Sequence, residues 1–382
     1  MSVYLDYNAS APMKPAALEA ASAALALVGN PSSIHGPGRA ARAVVERARD
    51  AARRLAGAAT ADVIFTSGGT ESCNLGVRGL SGGVGAAHIL ASAIEHAAIT
   101  LSAEHTAQAR AAPFSSIPCD GAGRVDAAAL ERLLTERDGP ALVCVMLANN
   151  ETGALQPIQE MAEIAKAAGA VILCDAAQAP GRIPLSFDVL GVDAMILSAH
   201  KFGGPKGVGA LILREGTPFE SRILGGGQER GYRAGTENVP GLAGFAAAAE
   251  ACAEDLGRAG DIAAMRDRLE AAVTAAAPDA VLFSADGPRL PNTACFAAPG
   301  FAAETQLMAL DLDGIAVSSG SACSSGKVEP SHVLSAMGAS DDLAASAIRV
   351  SMGWATTNDD IDAFAAAWPR AHARAAGRRM AS

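Results

Sequence analysis

Five short apolar runs, ending at Phe65, Ser92, Leu147, Cys174 and Leu197, are each followed at once by polar or small residues. Apolar runs of about four to eight residues bounded by such breakers read as buried strands. The stretches between them, such as 126–136 and 158–168, have helical composition. Strand and helix in alternation imply an α/β fold with a mainly parallel sheet covered by helices. In such sheets ligands collect outside the carboxyl ends of the strands, so the residues just past each run are the first candidates for chemistry.

Lys201 follows the last of these runs, in Leu197-Ser198-Ala199-His200-Lys201-Phe202-Gly203-Gly204-Pro205-Lys206-Gly207, and another apolar run occupies 208–213. An amine set between two core strands loses hydration, its ammonium form is disfavoured, and it gains nucleophilicity toward a carbonyl, as a Schiff-base lysine requires. A lysine at a strand end reaching for water fits that stretch alone equally well. Asp175 ends the run 171–174, with Gln178 three residues on. A carboxylate there needs a cationic or strongly donating partner, for which a protonated pyridine nitrogen serves; an N-cap is the alternative. His96, just past the run 88–92, is placed either to reach a bound ring and act as acid or base, or to cap a helix. Thr66-Ser67-Gly68-Gly69-Thr70-Glu71-Ser72 is a glycine-rich turn opening a helix, where free N–H groups, the dipole and the Thr70 hydroxyl suit a phosphate, or merely cap the helix. It is neither a Walker sequence nor G-x-G-x-x-G, so no nucleotide is implied. Gly82-Gly83-Val84-Gly85 reads as a plain connector.

Composition narrows the function classes. Lys and Arg total 30 against 40 for Asp and Glu, a formal charge of −10, and aromatic residues are 4%. This argues against nucleic acid or an anionic membrane as partner. No uncharged apolar run approaches the ~20 residues of a membrane span, and no leader pattern opens the chain, so a soluble, cytoplasmic protein is expected. Seven cysteines without a Cys-x-x-Cys pair make a disulfide framework or a metal site improbable. Most sit in apolar runs as small core residues; Cys323 does not. It stands in Ser318-Ser319-Gly320-Ser321-Ala322-Cys323-Ser324-Ser325-Gly326, where it is expected on an exposed, reactive loop. Arg349, inside the apolar run 347–352, needs a carboxylate from the protein or from a ligand. Residues 225–238 read as a loop wrapped around a ligand or a second subunit, or as a disordered surface loop. A boundary falls near Gly257 to Gly260, beyond which short strands and helices suggest a smaller α+β domain.

Together these segments resemble the cysteine desulfurases of the NifS/IscS type, in the class V aminotransferase branch of the fold-type I pyridoxal phosphate enzymes. The resemblance runs nearly end to end: Tyr4-Leu5-Asp6-Tyr7-Asn8-Ala9, the 66–72 turn, Glu95-His96, Asn149-Asn150-Glu151-Thr152-Gly153, Asp175-Ala176-Ala177-Gln178, Ser198-Ala199-His200-Lys201, Arg233-Ala234-Gly235-Thr236-Glu237-Asn238, the 318–326 loop, Glu329-Pro330-Ser331-His332-Val333-Leu334 and Arg349-Val350-Ser351-Met352-Gly353. It implies a large domain, 15–257, binding pyridoxal 5'-phosphate, and a small domain, 1–14 with 258–382, carrying the cysteine loop. By the same resemblance Lys201 holds the cofactor covalently, Asp175 pairs with its ring nitrogen, Gln178 bonds its phenolic oxygen, and His96 stacks on the ring and assists proton transfer. Gly69, Thr70, Asn150, Ser198 and His200 belong to the cofactor site, with Thr236 from the neighbouring subunit of a homodimer. Asn150 and Arg349 hold the substrate carboxylate, and Cys323 accepts sulfur from L-cysteine as a persulfide, for delivery to an iron-sulfur scaffold or another acceptor protein. A class V aminotransferase, a selenocysteine lyase and a non-catalytic sulfur-delivery scaffold are the competing readings. The sequence departs from the family pattern at Gly69, Ser10-Ala11, Ala199 and Trp354, of which Ser10-Ala11 and Trp354 bear on the substrate pocket or a domain contact.

Overall fold

The computed structural model describes residues 3–320 and 331–381. Thirteen strands form in chain order: β1 (Val3–Tyr4), β2 (Asp62–Thr66), β3 (His88–Ser92), β4 (Phe114–Ile117), β5 (Ala141–Met146), β6 (Val171–Asp175), β7 (Ala194–Ser198), β8 (Gly209–Leu213), β9 (Val281–Leu282), β10 (Thr293–Ala297), β11 (Ile315–Ala316), β12 (Ser318–Ser319) and β13 (Ala347–Ser351). The larger sheet has seven of them in the order β2-β8-β7-β6-β5-β3-β4. Pairing from β7 through β6, β5 and β3 to β4 is parallel; β8 alone runs antiparallel to its neighbours β7 and β2. The reason is length. The segment between β7 and β8, which contains Lys201, is too short for the crossover a parallel partner demands.

Alternate residues of the sheet enter different layers, the period-2 consequence of the pleat. Ile64, Ile89, Leu142, Leu173, Ile196 and Leu211 pack with residues of helices α3 and α4, whereas Val63, Leu90, Val143, Ile172, Met195 and Ile212 pack with α2, Ile158–Ala167 and Val239–Gly257. Here α1 is Pro15–Ala24, α2 Gly36–Ala56, α3 Gly69–Gly83 and α4 Ala97–Ala109. A separate core joins Leu5 to residues beyond Ile262. It underlies the four-stranded sheet β12-β13-β10-β9 and the parallel pair β1-β11.

Three details differ from the sequence reading. The strand β4 was not anticipated, because Phe114-Ser115-Ser116-Ile117 at the sheet edge is only partly buried and carries two serines. The apolar run at 315–318 splits between two sheets, β11 pairing with the N-terminal β1 and β12 with β13. Gly82 and Gly83 are not a loose connector. They finish α3 against 218–220, where a Cβ on Gly83 would lie 2.3 Å from the Pro218 carbonyl carbon, a distance no side chain tolerates.

Candidate active site

The carboxyl ends of β2, β3, β5, β6 and β7 open on one side of the larger sheet. There a cavity of about 310 Å3 collects Asn8, Gly69, Thr70, His96, Asn150, Asp175, Gln178, Ser198, His200, Lys201 and Arg349. These residues come from seven separate stretches of chain, and among them are all the expected site residues save two. Thr236, expected from a neighbouring subunit, is exposed and lines a different cavity with Ser67 and Gly207. Cys323 lies outside the described residues.

Lys201 ends the short turn Ala199–Lys201 that leaves β7. Its half-buried amine reaches back to the N-terminal segment, donating to the carbonyls of Asn8 at 2.6 Å and Ala9 at 3.1 Å. Asp175 is the last residue of β6, its Oδ1 accepting the Ala177 N–H at 2.9 Å. Burial pushes its carboxyl up, opposed by that hydrogen bond and by His96 and Lys201. A buried carboxylate of this kind gains most from a cation brought into the cavity.

His96 fills the capping part considered for it and also lines the cavity. It caps α4, Nδ1 accepting the Ala98 N–H at 3.1 Å, and its ring forms cavity wall. Burial lowers its pKa against the pull of Asp175, so the ring is neutral; with Nδ1 an acceptor, the proton sits on Nε2. His200 is likewise neutral, drawn down to about 4 by burial and by Lys201 and Lys206, and its Nδ1 meets Ser10 Oγ at 3.3 Å.

An anion cradle lies at the N-terminus of α3. The first-turn N–H groups of that helix, the Thr70 hydroxyl, and the buried Ser198 Oγ, which has no partner among the described residues, border one end of the cavity. A Cβ on Gly69 would stand 3.3 Å from Ser198 Oγ, so the glycine keeps that hydroxyl accessible.

Arg349 on β13 finds its carboxylate in the chain itself. Nη2 meets Asp6 at 2.7 Å and Nη1 the Asn150 carbonyl at 2.9 Å, while Nε has no partner among the described residues. Asn8 ties these parts together. Its carbonyl accepts from both Lys201 and Gln178, and its Nδ2 donates to the Asn150 carbonyl and to Thr293 Oγ1. Asn8, Asp6, Glu95, Glu151 and Arg182 were given no role from the sequence. For all but Arg182 the available signal was a place inside the quoted motifs, which names no partner elsewhere in the chain; Arg182 lies outside every one of them.

The 225–238 loop is packed on its own chain, not loose. Buried Glu229 accepts from Arg49 at 2.9 Å and from the Phe65 N–H at 3.0 Å, and Arg233 pairs with Glu71. On the C-terminal side of the Cys323 loop, Ser331 donates to Glu151 and His332 Nε2 meets the Glu95 carbonyl at 2.9 Å. That flank is thereby moored to the strand ends that carry Asn150 and His96.

The class-V aminotransferase family matches residues 3–364. A cysteine desulfurase of Cereibacter sphaeroides is 45% identical over 94% of this chain and 93% of its own. An IscS-like cysteine desulfurase of Mycobacterium tuberculosis is 41% identical over 99% and 98% respectively. Among solved structures, a NifS-like protein superposes with a TM-score of 0.90 at 33% identity, covering 98% of this chain and 100% of that one. The chain belongs to the NifS/IscS-type cysteine desulfurases of the class-V aminotransferase family. Enzymes of this family are generally pyridoxal phosphate-dependent. No helix among the described residues is long and apolar enough to cross a membrane.

In this family member the departures at Ala11 and Trp354 fall outside the main cavity. Both line a smaller one beside Lys201, and Trp354 Nε1 donates to the Pro12 carbonyl at 3.0 Å, so they shape the seat of the N-terminal segment. Glu95 adds a pH dependence. Its Oε1 accepts from Ser92 Oγ at 2.5 Å and Met146 N–H at 2.7 Å, and burial, helped by nearby Asp175, pushes the carboxyl up to about 8. The folded chain thus keeps a proton that the unfolded chain releases near 4.5. Stability falls as pH rises through that window, by up to ~1.4 kcal/mol per pH unit. Glu95→Gln preserves the shape and has no proton to lose, so between about pH 5 and pH 8 its denaturant midpoint is expected to decline less than that of the wild type. Equal declines would show that Glu95 is ionised in the fold.

Proposed function

We propose that this chain converts L-cysteine to L-alanine with pyridoxal 5'-phosphate as cofactor, passing the sulfur to Cys323 as a persulfide. The reading extends to a cytoplasmic homodimer that delivers sulfur to an iron-sulfur scaffold or other acceptor protein, with a cofactor-binding domain of residues 15–257 and a small domain of 1–14 and 258–382. The observation that carries it is the shared cavity in which the Lys201 amine, the buried Asp175 carboxyl, the neutral His96 ring and the α3 anion cradle all converge. The residues present fit the cofactor. Asp175 lacks an ion pair among the described residues and suits a protonated ring nitrogen, while the unpartnered Ser198 Oγ and the helix N-terminus suit its phosphate.

Pyridoxal phosphate, when bound, supplies an electron sink for the pair left on the substrate Cα. The chain's residues do the rest. Lys201 would hold the cofactor, and its Nζ would carry the proton taken from the substrate Cα. Asp175 keeps the ring nitrogen protonated, Gln178 donates to the ring oxygen, and Thr70, Ser198 and His200, with Thr236 of the partner subunit, hold the phosphate. Arg349 and Asn150 fix the substrate carboxylate, which orients the Cα–H bond, and His96 contributes its Nε2–H to proton transfer. The Cys323 thiolate then attacks the substrate sulfur. An S–S bond forms as the Cβ–S bond breaks, the electron pair goes to Cβ, and protonation there gives the methyl group of alanine. Cysteine and the enzyme thiol supply every atom of alanine and the persulfide, so no external oxidant enters.

Mass spectrometry of the protein after incubation with cysteine tests this reading, with one added sulfur atom expected on Cys323. Alanine produced without sulfur on Cys323 favours a lyase or aminotransferase. A purified sample with neither visible absorption nor alanine formation favours the non-catalytic scaffold.

A further inference from the structure

Arg182 has no part in the chemistry above, yet it is buried directly behind it, 8% exposed. A guanidinium in the interior ordinarily pairs with a carboxylate. Among the described residues Arg182 has none within ion-pair reach, and its acceptors are neutral. Nη1 donates to the Gln178 carbonyl at 3.0 Å and to the Gln178 side-chain Oε1. Nη2 donates to the carbonyls of Tyr7 at 3.2 Å and Lys201 at 3.3 Å. Burial and the neighbouring Arg349 lower its pKa to about 9, which still leaves it a cation at neutral pH.

An amide side chain can face either way, and its partners decide which. A guanidinium has donors only, so the end of Gln178 turned toward Arg182 must be the oxygen. The other end is then the NH2 group. One of its N–H bonds goes to the Asn8 carbonyl at 3.0 Å, the same oxygen that receives the Lys201 amine at 2.6 Å. The second remains for the cavity that Gln178 lines. Reversing the amide would set NH2 against the guanidinium and oxygen against the Asn8 carbonyl, two repulsive contacts in place of two bonds. Gln178 therefore meets a ligand as a donor and never as an acceptor.

We infer that Arg182 is a positioning residue that locks the Gln178 amide with its N–H toward the cavity and so makes the site select an anionic oxygen on the bound ring. For the reading above, on which this inference rests, that oxygen is the ionised ring hydroxyl of pyridoxal phosphate. Arg182 touches neither cofactor nor substrate in this scheme; it acts through Gln178.

The experiment titrates the visible absorption of the bound cofactor against pH in the holoenzyme, and measures the affinity of the apoprotein for pyridoxal phosphate. The proteins compared are the wild type, Arg182→Met, Gln178→Leu, the double variant and Gln178→Glu. Arg182→Met is expected to move the absorption midpoint in the same direction as Gln178→Leu, by about one pH unit, the scale of one hydrogen bond to a charged group. The double variant is expected to match Gln178→Leu alone, because the guanidinium acts only through the amide. Gln178→Glu gives Arg182 a carboxylate, covers the case in which Arg182→Met fails to fold, and is expected to bind pyridoxal phosphate at least tenfold more weakly. The inference is overturned by a wild-type midpoint in Arg182→Met, by additive shifts in the double variant, or by wild-type cofactor affinity in Gln178→Glu. A wild-type protein that takes up no pyridoxal phosphate overturns the cofactor reading itself, a result distinct from all three.

Discussion

Replacing Lys201 with alanine is expected to cut alanine formation from cysteine by ~10^2–10^4-fold, the range associated with losing a positioned proton-transfer group. The fold is expected to survive. The amine donates to the Asn8 and Ala9 carbonyls, which border the cavity and can turn to water when it is removed. Circular dichroism of the variant should therefore match the wild type, whereas the visible band of a lysine-bound cofactor should be gone. Lys201→Arg separates charge from nucleophilicity. It restores a cation beside the two carbonyls, yet a guanidinium does not give up its proton, so activity should stay as low as in the alanine variant. Turnover near the wild-type rate in either variant would remove the amine from the mechanism.

The second large effect belongs to Cys323→Ala. Alanine formation should fall to below ~1% of wild type, the kind of loss seen when a covalent nucleophile is deleted. Cofactor absorption and its response to added cysteine should persist, because binding and Cα proton removal are assigned to groups on the strand ends. This split, with early steps intact and product absent, tells sulfur transfer apart from transamination or simple elimination, neither of which needs a protein thiol. Undiminished alanine release would sink the persulfide route.

The larger sheet was legible because its strands are uniformly apolar and end in abrupt polar breaks. Asp175, His96 and Lys201 stand at such breaks, and the rule that ligands gather at the carboxyl ends of parallel strands pointed to all three. What local sequence could not disclose is partnership across distance. Arg349 was seen to need a carboxylate, but Asp6 lies 343 residues away. Asn8 meets Lys201 and Gln178 across 193 and 170 residues, and nothing in a single asparagine advertises such a junction. Arg182 sits four residues after Gln178 in an unremarkable stretch, and its role depends on which end of an amide faces it. The edge strand β4 was missed for the opposite reason, since two serines in four residues mask an apolar pattern that only one face requires.

The early residues of the chain also set an order of events during biosynthesis. Asp6 and Asn8 leave the ribosome long before the groups that hold them, Thr293 and Arg349. Closing contacts across such spans costs entropy that grows only slowly with their length, and it slows folding. The seven-stranded sheet is drawn from residues 62–213, whereas the bonds from Asn8 to Thr293 and from Arg349 to Asp6 form only once those later residues have been made. Because Arg349 stands in the cavity wall, the cavity is complete only after the stretch that bears Cys323 has also been synthesised.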